Sequence, residues 1–407
     1  MPTIDEQVEV LMFGTEYGDP QTKEHMTREL RERLILAEKE GRPLRVYCGY
    51  DPRKPDLHLG HTITMRKLRQ FQDFGHDVTF LIGTFTSLIG DPSDVDTTRD
   101  QLTPEQVDEN ARTYQEQAFK ILDPARTRVR RNDEWLAGLD FRDIIRLAQN
   151  FTVQQFLTRE NFALRMEKGE PIYLHEMFYA LMQAYDAVAQ QTDVQVGGQD
   201  QLFNILVAGR KLQQALGQLP LVAVIMGESL PGTDGELKMS KSLGNHIPIM
   251  TTPEDMYGKI MSVPDKAMRI YHKLLLGWGP EQLAELDRQM AVDPMRVKKS
   301  LAYQITAIFH GTDGAERGAE YFARVHQERE LPAEMPEYGI AGPMRVVDIL
   351  ANAGLTSGKN DAKRQIQGGA VRLNGDKVEN FDSVLSPDAL PAVLQVGKRK
   401  FVRVVPG

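Results

Sequence analysis

The spacing of apolar residues changes period several times along this chain, and each change marks an element. Thr27-Arg-Glu-Leu-Arg-Glu-Arg-Leu-Ile-Leu has helical spacing, which predicts a charged helical start over residues 1–41 with Gly41 as its stop. Leu44 to Tyr50 reads as a short strand, and residues 51–57, with two prolines, read as a loop. A helix is expected from about Gly60 to Phe74, ending at Gly75, followed by a second strand from His76 to Gly83. Strand, crossover helix and strand predict a right-handed βαβ unit with a parallel sheet.

The pattern returns later. Val194 to Gly198 predicts a strand ending in glycines, Asp200 is a candidate N-cap for a helix stopping at Gly217, and Leu221 to Met226 predicts another strand. Residues of about 104–190 read as mostly helical and interrupt the two halves as an insertion. The expected fold is therefore α/β: a Rossmann-like parallel-sheet domain over residues 1–246 that carries this insertion. An all-helical domain is expected over 247–335, and Leu331–Gly342, rich in Pro, Glu and Gly, reads as a linker. A small α+β domain over 343–407 follows, with an apolar helix, a basic helix and short strands.

Composition adds three constraints. At 407 residues the chain is too long for one ordinary core. No apolar run reaches membrane-spanning length, and the first residues lack a basic-then-apolar secretory pattern. Cys48 is the single cysteine, which excludes an internal disulfide and fits a reducing, cytoplasmic setting. Net charge is −8, but residues 343–407 carry +4 and the remainder −12. A basic tail on an acidic body is the asymmetry expected where one module meets nucleic acid.

The candidate chemistry lies at strand ends. Ligands in open α/β sheets bind beyond the carboxyl ends of strands, near the switch point. His58-Leu-Gly-His61 follows the first strand and opens the next helix, where free N–H groups and the macrodipole favour phosphate. Gly60 permits close approach of a base or phosphate. Lys238-Met-Ser-Lys-Ser242 lies in a loop with Gly235, Gly244 and Asn245, able to move and to close two ammoniums over phosphates. A lone histidine at such a place more often caps or packs, and a lone lysine pair is more often a solvated turn. Together the two segments point to binding of a triphosphate and stabilisation of departing pyrophosphate.

Tyr179, Gln183 and Asp186 stand at i, i+4 and i+7 on one helix face, a phenol, an amide and a carboxylate that suit a ligand bearing an ammonium and a hydroxyl. An ordinary surface face gives the same spacing. Gln195, Asp200 and Gln201 flank the Gly197-Gly198 strand end. Asp200 is suited to capping its helix, to accepting from a ribose hydroxyl, or to both.

With these segments the chain resembles the class I aminoacyl-tRNA synthetases, and within them the bacterial tyrosyl-tRNA synthetases. Tyr47-Cys-Gly-Tyr-Asp-Pro52, His58–His61, Leu88-Ile-Gly-Asp-Pro92, Gln183-Ala-Tyr-Asp186, Gln195–Gln201 and Lys238–Ser242 match in order and spacing. Asp361–Val371 and Leu373-Asn-Gly375 resemble an RNA-binding domain shared with a small-subunit ribosomal protein. The resemblance implies a tyrosine–tRNA ligase. Tyr47 and Asp186 would meet the tyrosine hydroxyl, and Asp91, Tyr179, Gln183 and Gln201 its ammonium. Gly49, Asp51, His58, Gly60, His61, Gly198, Asp200, Met239 and Lys241 would meet ATP or the adenylate. Lys238 and Lys241 would bind pyrophosphate, so that His58, His61, Lys238 and Lys241 form the catalytic set. Lys363, Arg364 and Arg372 would touch tRNA. ATP is implied as substrate with Mg²⁺, without a prosthetic group or a protein-built metal site. The implied partners are L-tyrosine, ATP and tRNA(Tyr), with a homodimer and no membrane.

Three positions depart from the pattern. Arg53 replaces a common threonine associated with the γ-phosphate, suited either to that contact or to solvent. Asp94-Val95 replaces Gly-Lys after Gly90-Asp-Pro-Ser93, which leaves Arg99 as the nearest basic residue for phosphate. Gln199 stands in place of Ser or Thr. A tryptophan-specific synthetase and an inactive RNA-binding relative of the same fold are the competing readings; Tyr47 with Asp186 argues against the first, and the intact histidines and lysines against the second.

Overall fold

A computed structural model describes residues 2–92, 102–327, 335–397 and 400–407. It divides into two compact units, Met1–Glu320 and Tyr321–Gly407. Ser93, Asp94, Val95 and Arg99 lie outside the described residues, as does the first part of the expected linker.

The first unit is organised by a five-stranded parallel sheet. Its strands are β1 (Arg45–Tyr50), β2 (Asp77–Ile82), β3 (Thr127–Arg131), β4 (Val194–Gly198) and β5 (Val222–Met226), in the order β3-β2-β1-β4-β5. The order reverses between β1 and β4, which makes their carboxyl ends the switch point. Val46 lies opposite Val194, and Tyr47 opposite Gln195. β5 is buried along its whole length, as a strand covered on both faces should be.

Local sequence explains most boundaries. The first two helices, Ile4–Met12 and Pro20–Lys39, start at the side-chain caps Thr3 and Asp19. The crossover helix Thr62–Asp73 stops before Gly75, whose φ of +88° suits a residue without Cβ. Its inner face seats Ile63, Met65, Leu68 and Phe71, all buried. On the sheet, the ring of Phe80 stacks on Tyr50 with centroids 4.6 Å apart, and the Tyr50 hydroxyl pairs with Thr64 Oγ1 at 2.8 Å.

Three expectations change. The insertion is not helical throughout: after the helix Pro104–Ala118 the chain forms β3 and completes the sheet edge. Thr-Arg-Val-Arg-Arg conceals this strand because its arginines are satisfied at the edge, Arg128 by Asp77 and Arg130 by Glu134. Asp200 does not cap a helix. It sits inside the short turn Gln199–Gln201, whose N-cap is Gly198 without a side-chain cap bond, and a π-helical stretch Phe203–Gly209 leads into the helix Arg210–Ala215. The end of the expected linker is a strand, Glu337–Ile340.

Beyond β5 the first unit continues through helices Pro253–Ser262, Asp265–Leu275, Pro280–Val292 and Pro294–Phe322, the last kinked at Gly311. The second unit has its own core, including Val347, Leu350, Ile366, Leu394 and Val402. Its strand Glu337–Ile340 pairs in parallel with Lys400–Pro406, which pairs antiparallel with Ala392–Val396. Two helices, Val346–Asn352 and Lys359–Gln367, complete it.

Phe80 is 0% exposed. Phe80→Ala should destabilise the first unit by roughly 3–5 kcal/mol, the range for deleting a buried aromatic ring. Urea unfolding measures this, and a loss below about 1 kcal/mol would contradict the packing described.

Candidate active site

The His58–His61 segment is an internally capped turn. His58 Nδ1 accepts from the Gly60 N–H at 3.2 Å, and His61 Nδ1 accepts from the His58 N–H at 3.1 Å. Each imidazole thus uses Nδ1 as an acceptor and carries its proton on Nε2. Burial lowers both pKa values, with nearby Lys241 acting in the same direction, and His61 falls to about 3. The rings are neutral Nε2–H donors, with centroids 3.9 Å apart.

A short antiparallel pairing fastens this turn to the chain that follows the lysine loop. The Leu59 N–H donates to Ile247 at 3.0 Å and the Ile249 N–H to Leu57 at 2.9 Å, with His58 opposite Pro248. The loop itself is organised by Asn245 and Asp234. Asn245 Oδ1 accepts from the Ser240 N–H at 2.8 Å, and its Nδ2 donates to Asp234 at 2.5 Å. Asp234 also accepts from the Glu236 and Leu237 N–H groups at 2.7 and 2.8 Å. Gly232 is required here, because a Cβ would collide with the Asn245 amide.

Met239 is buried, with its Cβ beside Gly60. Lys238 remains exposed, its Nζ 3.5 Å from Asp200. Burial lowers the Lys241 pKa to about 8, partly opposed by Asp56.

A second group of predicted residues meets below the switch point. Tyr47 is buried beside Gln195, its hydroxyl 3.5 Å from the Gln183 carbonyl, and burial followed by the Asp186 charge raises its pKa. Asp186 accepts from Trp135 Nε1 at 2.8 Å and from Asn132 Nδ2 at 3.3 Å. Burial raises its pKa to about 8 despite these two donors. Tyr179 donates to Asp51 at 3.1 Å, and Thr86 to the other Asp51 oxygen at 2.8 Å. Asp51 thereby joins the end of β1 to the helix Leu174–Ala189, the helix that also carries Gln183 and Asp186. Gln183 and Gln201 both accept from Asn204, at 2.9 and 3.0 Å. Gln201 in turn donates to Asp91 at 2.6 Å.

At the end of β4, a Cβ on Gly197 would lie 2.6 Å from Ile205, and one on Gly198 2.7 Å from Asp200. Gly49 is open to solvent. Arg53 donates to the Ser87 carbonyl at 3.0 Å, so its guanidinium reaches the turn after β2. In the second unit Arg364 pairs with Asp361, Lys363 lies 5.6 Å over the Phe381 ring, and Arg372 donates to the Gly375 carbonyl.

Sequence reasoning missed Asn132, Trp135 and Arg159. Asn132 and Trp135 follow the unrecognised β3. Arg159 donates to Asp91 at 3.1 Å from deep within the protein, its side chain 3% exposed. Their only sequence signal is a polar or aromatic residue flanking short helices, and nothing in that spacing identifies a carboxylate partner.

Comparison with known proteins places the chain in a family. The family model "tRNA synthetases class I (W and Y)" matches residues 39–327, and the model "Tyrosine--tRNA ligase SYY-like C-terminal domain" matches residues 328–404. A tyrosine–tRNA ligase from Thermotoga maritima is 48% identical over 379 residues, covering 92% of this chain and 94% of the relative. One from Carboxydothermus hydrogenoformans is 44% identical, with 99% and 98% covered. In fold, the chain is similar to the Archaeoglobus fulgidus tyrosyl-tRNA synthetase solved with L-tyrosine, with TM-score 0.60, 22% identity, and 78% of this chain and all of that chain covered. It is also similar to a C-terminally truncated mitochondrial tyrosyl-tRNA synthetase from Aspergillus nidulans, with TM-score 0.63, 22% identity, and 81% and 94% covered. The chain belongs to the class I aminoacyl-tRNA synthetases, within the family of tyrosine–tRNA ligases.

Proposed function

We propose that this protein is a tyrosine–tRNA ligase whose phosphate clamp is the His58–His61 turn and the Lys238–Ser242 loop. The observation that carries this reading is the backbone pairing of Leu57–Leu59 with Ile247–Ile249, which fastens the histidine turn to the chain that leaves the lysine loop. The family model covers both tryptophan and tyrosine enzymes; the buried phenol of Tyr47 beside Asp186 favours tyrosine, as do the relatives.

In the first step the tyrosine carboxylate attacks the α-phosphorus of ATP, which enters as its Mg²⁺ complex. The bond to the bridging oxygen breaks, giving tyrosyl-adenylate and pyrophosphate. The Nε2–H groups of His58 and His61 donate to phosphate oxygens without needing a second proton. Lys238 and Lys241 take up the charge that moves onto the leaving group. Gly49, Gly60, Gly198 and Met239 shape the nucleotide bed, with Asp51 and Asp200 on its polar side. In the second step a hydroxyl of the tRNA terminal adenosine attacks the acyl carbon and AMP departs. Positioning and charge stabilisation carry the rate, and no covalent enzyme intermediate is required.

Tyr47 and Asp186 receive the substrate hydroxyl, while Asp91, Tyr179, Gln183 and Gln201 receive its ammonium. A site whose buried polar groups expect a hydroxyl rejects the analogue lacking one, tyrosine enzymes being the standard example of that rule. The helices between Pro253 and Phe322 meet the anticodon arm, and Lys363, Arg364 and Arg372 grip tRNA backbone. Apolar residues exposed on the insertion, including Phe141, Ile145, Leu164 and Leu174, support a homodimer joined there. Among the described residues no helix is long and apolar enough to cross a membrane. The single cysteine, Cys48, is buried and unpaired, in keeping with a cytoplasmic protein.

Pyrophosphate–ATP exchange should depend on tyrosine and be nearly silent with phenylalanine or tryptophan; exchange with tryptophan alone would sink the specificity, and none with any amino acid the enzyme reading. Lys241→Ala should slow adenylate formation by roughly 10²–10³-fold while leaving tyrosine affinity within a few-fold. Equal losses in stopped-flow rate and tyrosine binding would contradict a transition-state role. Because the Lys241 pKa is lowered to about 8, its ammonium is present below that pH and lost above it. The kcat/KM for ATP should therefore decline above about pH 8, and Lys241→Arg should move the decline to higher pH. In the tail, neutralising Lys363, Arg364 and Arg372 together should weaken tRNA binding and flatten its salt dependence, measured by filter binding across ionic strengths.

A further inference from the structure

Asp91 is assigned above to the substrate ammonium, yet a cation already stands against it. Arg159 Nη2 donates to Asp91 Oδ1 at 3.1 Å, and Gln201 donates to Oδ2 at 2.6 Å. Arg159 lies between two rings, its guanidinium carbon 5.3 Å from the Phe162 centroid and 5.7 Å from that of Phe203. It is the N-cap residue of the helix Glu160–Glu167. Asn161, two residues on, donates to the Pro92 carbonyl at 2.7 Å. One helix start thus grips two consecutive residues, Asp91 through its side chain and Pro92 through its backbone.

Among the described residues, the buried Arg159 Nη1 has no hydrogen-bond partner. The other buried carboxylate of the site, Asp186, takes its bonds from the neutral donors Trp135 and Asn132. A carboxylate that receives a cation must hold its direction before that cation arrives, and a fixed guanidinium provides it.

We propose that Arg159 is a positioning residue for amino-acid recognition, holding Asp91 aimed at the substrate ammonium. The inference rests on the tyrosine-activating reading given above. It assigns Arg159 no contact with the phosphate chemistry.

Two partial substrates separate this role from others. Tyramine carries the ammonium without the carboxylate; 3-(4-hydroxyphenyl)propionate carries the carboxylate without the ammonium. Both are measured as competitive inhibitors against tyrosine in pyrophosphate exchange. Arg159→Met should weaken tyramine by roughly ten- to a hundredfold, the range for one charged hydrogen bond, and leave the propionate within about twofold. Arg159→Lys should recover most of the loss. In an Asp91→Asn background, Arg159→Met should add less than about threefold, because the two act as one unit.

Loss confined to the propionate would overturn the proposal, by placing Arg159 on the substrate carboxylate instead. Equal loss of both inhibitors, or an undiminished Arg159→Met effect in the Asp91→Asn background, would also overturn it, by showing a general structural role. If Arg159→Met does not fold, Arg159→Lys and Arg159→Gln carry the same comparison, with Gln expected to lose tyramine selectively and Lys to keep it. Should wild-type exchange not depend on tyrosine, the functional reading itself fails. Should Asp91→Asn weaken tyramine while no folded Arg159 variant does, only this inference fails.

Discussion

Two backbone hydrogen bonds, from Leu59 to Ile247 and from Ile249 to Leu57, constrain everything the site can do. Side chains adapt to substrate, but this pairing fixes the distance between the histidine turn and the chain leaving the lysine loop. The loop therefore leaves from a fixed base. Its internal frame is equally specific, since Asn245 and Asp234 occupy the Ser240, Glu236 and Leu237 N–H groups. Met239, buried while Lys238 is exposed, anchors the loop's middle in the same way.

The site neutralises its buried titratable groups in opposite directions. At the histidine turn both imidazoles are neutral, with Lys241 nearby. At Asp186 the surroundings favour the protonated carboxyl, with a pKa of about 8. Burial sets the direction in both places: it removes charge from histidine by lowering its pKa and from aspartate by raising it. What distinguishes Asp91 is the guanidinium of Arg159 next to it, where Asp186 has only the neutral donors Trp135 and Asn132.

Much of this was legible in the sequence for a simple reason. β1, β2, β4 and β5 are apolar runs closed by glycines or polar loops, and the motif residues stand at their ends, where function in such sheets must lie. β3 was not legible because Arg128, Arg130 and Arg131 make its alternation read as polar; only the acidic partners on neighbouring segments reveal an edge strand. Glu337–Ile340 was read as linker because a four-residue strand needs its partner, Lys400–Pro406, to be recognised. Asp200 had the right residue type for a cap, but the Gly197-Gly198 strand end runs straight into a tight turn and leaves it facing Lys238. Asn132, Trp135 and Arg159 gain meaning only from proximity to Asp186 and Asp91, a property of the folded chain.

The pairing of β1 with β4 brings Val46 beside Val194, roughly 150 residues apart in sequence. Such a contact closes a long loop, and the entropy of closure is spent before any ligand affinity is gained. The β1–β2 side, built from neighbouring segments, forms by short-range search. The crevice between β1 and β4 exists only after the long-range search has succeeded. A chain that holds its first βαβ unit but lacks the β1–β4 pairing has no such crevice.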